Sequence, residues 1–183
     1  MLGDDYPGQD CALAGALEIL GERWTLLIVR DTFFGVRRFD DFAQHLDISR
    51  AVLSARLRKL VEHGVLAKAG TEYLLTPAGE ELWPAVHALI SWGARHRHPA
   101  SRRYSHFPCG TELNPFGECE RCAARPPARD VVATPRRPKR RQRADPVSVA
   151  LGRPHRLVEP LDTGREAAVP REWSVRGRVG SCN

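Results

Sequence analysis

The chain has 183 residues, 42% of them hydrophobic, enough for one modest core with an appendage and too little for a large enzyme. Its five cysteines, Cys11, Cys109, Cys119, Cys122 and Cys182, are unevenly spaced and do not read as a disulfide framework. No run approaches the roughly eighteen apolar residues of a membrane span. The opening MLGDDYPGQD lacks the basic and apolar blocks of a secretion signal, so a cytoplasmic address is expected. The net charge of +6 divides unevenly: residues 1–100 hold 11 basic and 13 acidic residues, residues 101–183 hold 17 and 9. The basic character therefore belongs to the second part.

In chain order, Leu13, Leu17 and Leu20 recur at helical spacing and predict a helix over Ala12–Leu20, broken by Gly21. From Arg23 the run RWTLLIVRDTFF is apolar on most faces, as in a helix packed on several sides, and Gly35 ends it. Phe39, Phe42, Ala43 and Leu46 predict a short third helix, followed by a turn at Asp47-Ile48. Ser49 is a good N-cap for a fourth helix reaching about His63. Val65–Ala69 and Glu72–Leu75 predict a small hairpin around Gly70. Thr76-Pro77 starts a last helix to about His96, bent near Pro84, that carries Leu82, Val86, Leu89, Ile90 and Trp92.

Beyond Pro99 the texture changes. Residues 101–125 hold a Cys/His cluster, and residues 126–183 are rich in Arg, Pro and Gly with scattered apolar residues, so the tail is expected to lack order. The expected fold class is mainly α with a small β-hairpin. It comprises a winged helix-turn-helix over 1–100, a zinc-knuckle-like module over 101–125, and the disordered basic tail over 126–183.

Two helices joined by a short turn, then a hairpin and another helix, is the layout in which the second helix enters the major groove of DNA. In SRAVLSARLRKLVEHG, Leu53, Leu57, Leu60 and Val61 lock one face to the core. The opposite face carries Ala51, Ala55 and Arg58, flanked by Ser54 and Lys59. Small residues there admit close approach to base edges, and Ser54 and Arg58 can hydrogen-bond to them. Arg50, Arg56, Arg58 and Lys59 fall between Ser49 and Val61 with no acid among them. The helix start at Ser49 and Arg50 offers backbone donors to phosphate, and Arg37 and Arg38 are placed to clamp the phosphate backbone. An ordinary solvated helix face is the alternative reading of the same charges.

The segment CALAGALEILGERWTLLIVRDTFFGVRRFDDFAQHLDISRAVLSARLRKLVEHGVL, with YLLTPAGEEL and SWGARH after it, resembles the HxlR family of transcriptional regulators over about residues 10–96. A leading cysteine, G-E-R-W-T, R-R-F-D-D, I-S-R-A-V-L-S-A-R-L and Y-L-L-T-P-A-G occur in the family order. The resemblance implies a homodimer that pairs the first and last helices across a two-fold axis and sets two recognition helices in successive major grooves. The wing departs from the pattern: only Ala69-Gly70-Thr71 separates its strands here, so DNA contact by the wing is not expected. Cys11 occupies the position where, in some members, a thiol senses electrophiles or oxidants. A small residue buried at the dimer interface is the other reading of it.

His106, Cys109, Cys119 and Cys122 form H-x2-C-x9-C-x2-C. Three thiolates and an imidazole suit tetrahedral, structural Zn2+. A redox dithiol at Cys119 and Cys122, or inert cysteines, are the competing readings. The block RRPKRRQR, residues 136–143, suits sequence-blind attraction to phosphates.

The expected function is sequence-specific regulation of transcription by a homodimer on double-stranded DNA, in the cytoplasm at the nucleoid. The alternative is a redox or ligand sensor using Cys11 or the Cys/His module, with DNA binding as its output. No nucleophile-base pair, phosphate loop or open metal site points to an enzyme.

Overall fold

Cys11 opens α1 (Ala12–Leu20) in the computed structural model, which describes residues 10–136 and 144–164. Its Sγ accepts from the Ala14 N–H at 3.3 Å, so a thiol does the capping usually done by oxygen. The helix α2 (Thr25–Phe33) starts later than Arg23 because Trp24 takes left-handed backbone, φ +80°. It buries Ile28, Val29 and Phe33 completely. Asp47, also left-handed, ends α3 (Phe39–Leu46), and the chain turns into α4 (Arg50–Glu62). Ser49 caps α4 as expected, its Oγ accepting from the Val52 N–H at 3.4 Å.

The strands β1 (Leu66–Ala69) and β2 (Glu72–Leu75) pair antiparallel, Leu66 opposite Leu75 and Ala69 opposite Glu72. Gly70, at φ +58°, supplies the left-handed residue that so tight a hairpin needs. The expected single bent helix is instead two, α5 (Pro77–Glu80) and α6 (Trp83–His96). Pro84 does not bend a helix; it sits in the first turn of α6, where its missing N–H has no intrahelical partner to lose. Helix, turn, helix, wing and closing helix together make a winged helix-turn-helix.

The tail departs from expectation. The strands β3 (Arg102–His106), β4 (Val131–Pro135) and β5 (His155–Arg156) form an antiparallel sheet in that order, and α7 (Pro146–Ala150) packs on α3. Disorder is thus overturned for residues 126–136 and 144–164. Too few to build a core of their own, Val131, Ala133, Val147, Leu151 and Leu157 are buried in the core that already holds Phe33, Phe34 and Trp83. Tyr104 joins them, its ring 5.3 Å from that of Trp83. Two arginines of this region are anchored: the partly buried Arg102 donates to the Leu151 carbonyl at 2.7 Å, and the exposed Arg129 pairs with Glu80 at 2.7 Å. The basic block from residue 137 to 143 lies outside the described residues, as do residues 165–183 with Cys182. Among the described residues no helix is long and apolar enough to cross a membrane.

Candidate nucleic-acid interface and candidate metal centre

Burial of Leu53, Leu57 and Leu60 fixes which way α4 faces. Ser49, Arg50, Ala51, Ser54 and Arg58 are all exposed; by helical rotation Ala51, Ser54 and Arg58 turn away from that seam, whereas Ser49 and Arg50 stand at its N-terminal end. Arg58 makes no hydrogen bond or ion pair among the described residues, which leaves all of its guanidinium donors free. Arg50 reaches Asp40 at 2.7 Å and lies over the Phe39 ring, 4.7 Å from its centroid. Its solvent position makes that pair weak and easily exchanged.

Lys59 is placed differently. Its Nζ lies 3.0 Å from Glu22, and Arg56 pairs with the same carboxylate. Both side chains are about four-fifths covered. The exposed basic residues of α4 are therefore Arg50, at its start, and Arg58, on its open face.

Arg37 and Arg38 converge on Glu72 of the wing, at 3.7 and 3.9 Å. Arg37 also donates to the Val158 carbonyl at 3.1 Å. Burial draws the Arg37 pKa down, and Glu72 opposes that shift. Glu72 is 5% exposed and balances both cations. Neither Glu22 nor Glu72 was singled out from sequence; an acid on the inward side of a short strand was the available signal for Glu72.

The metal-ligand candidates come together. His106 ends β3, the chain turns at Gly110 in left-handed backbone, and Cys119 returns through a hydrogen bond from its N–H to the Ala124 carbonyl at 2.8 Å. The donor atoms of His106, Cys109, Cys119 and Cys122 all lie within 4.8 Å of one another. Cys109 Sγ stands 3.4 Å from His106 Nδ1, 3.4 Å from Cys119 Sγ and 3.7 Å from Cys122 Sγ. Zinc-thiolate bonds of about 2.3 Å put tetrahedral sulfurs about 3.8 Å apart, so this donor set fits zinc closely. Hydrogen bonds from Thr111, aided by the neighbouring thiols, hold the Cys109 thiol down at about 6, which favours the thiolate a metal binds.

Cys11 is exposed at the α1 cap. Of the apolar residues on α6, Trp83 and Val86 face inward, whereas Leu89 and Trp92 are each 53% exposed. Leu13 and Leu17 of α1 are exposed as well.

Sequence comparison agrees with a helix-turn-helix unit in this chain. The family described as HxlR-like helix-turn-helix matches residues 19–101. The uncharacterized HTH-type transcriptional regulator Rv3095 of Mycobacterium tuberculosis is 42% identical over 131 residues, covering 66% of this chain and 82% of the relative. The uncharacterized HTH-type transcriptional regulator YdeP of Bacillus subtilis is 28% identical over 107 residues, 52% of this chain and 84% of the relative. Among solved structures, PA1607, described as a candidate transcription factor, shares 41% identity with a TM-score of 0.46, covering 49% of this chain and 68% of that one. Quinone-bound YodB from B. subtilis shares 26% identity with a TM-score of 0.43, covering 45% and 96%.

Proposed function

The chain belongs to the HxlR-like helix-turn-helix family of transcriptional regulators, and from that premise we propose that it regulates transcription as a homodimer on a short palindromic operator. In this reading α4 enters the major groove, Ser54 and Arg58 contact base edges, and Ala51 allows the helix to seat closely. Ser49 and Arg50 meet the phosphate at the start of α4. Arg37, Arg38 and Lys59 border that surface, and their acidic partners set how far each can reach. A cytoplasmic place of action at the nucleoid follows. The observation that carries the reading is the exposed, unpaired guanidinium of Arg58 beside Ser54 on a helix held by three buried leucines.

Homodimerisation is supported by Leu13, Leu17, Leu89 and Trp92, large apolar side chains exposed on the first and last helices of the reading unit. The Cys/His cluster is assigned to structural Zn2+, on the grounds of its donor chemistry and spacing. Recovering bound DNA from a random pool with purified protein tests the whole reading. Enriched sequences should contain two inverted half-sites whose centres are about one helical turn apart; recovery without any shared sequence would refute it.

Exposure of the Cys11 thiol favours one second reading, a sensor whose oxidation changes operator affinity. Oxidant titration of the wild type and Cys11→Ser tests it, and an identical response in both would remove Cys11 from the account.

A further inference from the structure

We propose that metal held by His106, Cys109, Cys119 and Cys122 regulates DNA reading by bracing the α2–α3 connection through a continuous run of backbone hydrogen bonds. The inference rests on the DNA-binding and metal-binding readings above. His106 is the register partner of Val131 on β4, and the next residue, Phe107, donates its N–H to the Asp130 carbonyl at 2.7 Å. The Val131 carbonyl in turn accepts the Leu157 N–H at 2.9 Å. One residue further, the Val158 N–H donates to the Phe33 carbonyl at 2.7 Å, while the Val158 carbonyl accepts from Arg37 Nη2 at 3.1 Å. The Leu161 N–H donates to the Gly35 carbonyl at 3.0 Å.

Residues 157–161 thus form a strap along the segment from which Arg37 and Arg38 depart and after which α3 begins. The fit is close. Gly35 stands at φ +83°, and a Cβ there would lie 2.0 Å from the Glu159 carbonyl oxygen. A second brace reaches α3 itself: His45 Nδ1 lies 3.2 Å from both Asp145 Oδ1 and Ser148 Oγ of the α7 cap. His45 is four residues ahead of Ser49, the cap of α4.

The metal end of this path is held in part by backbone bonds, from the Leu113 N–H to the Tyr104 carbonyl at 2.8 Å and from the His106 N–H to the Thr111 carbonyl at 2.9 Å. From Phe107 to Arg125 only Leu113, Gly117 and Cys119 are buried, so ordering of the loop draws on ligand bonds to a metal. Cys109 and Cys122 are partly exposed, which leaves the site open to chelators. Metal loss frees the loop, loosens the His106–Val131 end of the sheet, and relaxes the strap and the connection beneath it.

Hydrogen exchange on the full zinc-loaded chain, with and without a chelator, tests this. Amides of residues 33–39 should exchange roughly tenfold faster or more once metal is removed, with a parallel loss of about tenfold in affinity for pool-selected DNA. Val158→Pro removes the N–H bound to Phe33 and cannot adopt the native φ of +68°. It should retain zinc yet show fast exchange and weak DNA binding in both metal states. Unchanged exchange at 33–39 after chelation, with DNA selection intact, overturns the bracing alone. Failure of the loaded wild type to select DNA overturns the reading on which it rests. Should Val158→Pro not fold, the exchange measurement on the wild type decides by itself.

Discussion

Lys59 of α4 and Glu22, which precedes α2, meet at 3.0 Å, and Arg56 joins the same carboxylate. Two of the four basic residues on α4 are thereby bound to the protein and held back from its open face. In the proposed function their shared acid would limit sequence-blind attraction to DNA, leaving base contact to the free guanidinium of Arg58.

Glu22→Gln should release both cations. Nonspecific DNA affinity rises, and its dependence on salt steepens by about one to two released counterions. Binding isotherms across a salt series check this. An unchanged slope would mean that Arg56 and Lys59 cannot reach phosphate even when freed.

Trp92→Asp combined with Leu13→Asp should produce a monomer. Each side chain is more than half exposed in the protomer, so the thermal midpoint of the monomer should stay close to that of the parent, apart from the stabilisation lost with association. Sedimentation velocity reads the change in mass directly. A dimer persisting in the double variant would move the interface away from α1 and α6.

Acid should weaken the fold through His155 on β5. Burial pushes its imidazole down to about 4, with Arg102 acting in the same direction and a hydrogen bond to the Arg153 carbonyl opposing. Unfolded histidine titrates near 6.5, so between the two values the unfolded chain binds the extra proton. The stabilisation is fully present above about pH 6.5 and is lost as pH falls towards 4. Urea denaturation at pH 7.5 and pH 5 should give a smaller midpoint at pH 5, and His155→Gln should flatten that difference.

The reading unit was legible wherever its structure is local. The spacing of Leu53, Leu57 and Leu60, the cap at Ser49 and the Gly70 turn each depend on neighbours within a few residues. The candidate metal ligands were legible because the H-x2-C and C-x2-C pairs carry their geometry in their spacing. The division between α5 and α6 was not, since Pro84 suits a helix start as well as a bend. The order of the tail was hidden for another reason. Val131, Val147 and Leu157 fall in short apolar stretches separated by arginines and prolines, and they are buried in a core that Phe33, Phe34 and Trp83 also build. Pairing of distant charges was equally invisible: Glu72 lies far along the chain from Arg37 and Arg38 and meets them only through the fold.

The central claim, that the open face of α4 reads sequence, is tested most directly by Arg58→Ala in competition between pool-selected and random DNA. The variant should lose about 1–3 kcal/mol of discrimination between the two, with its affinity for random DNA changed far less. A variant that keeps the full preference of the wild type would contradict the assignment of Arg58, and with it the account of recognition given for α4.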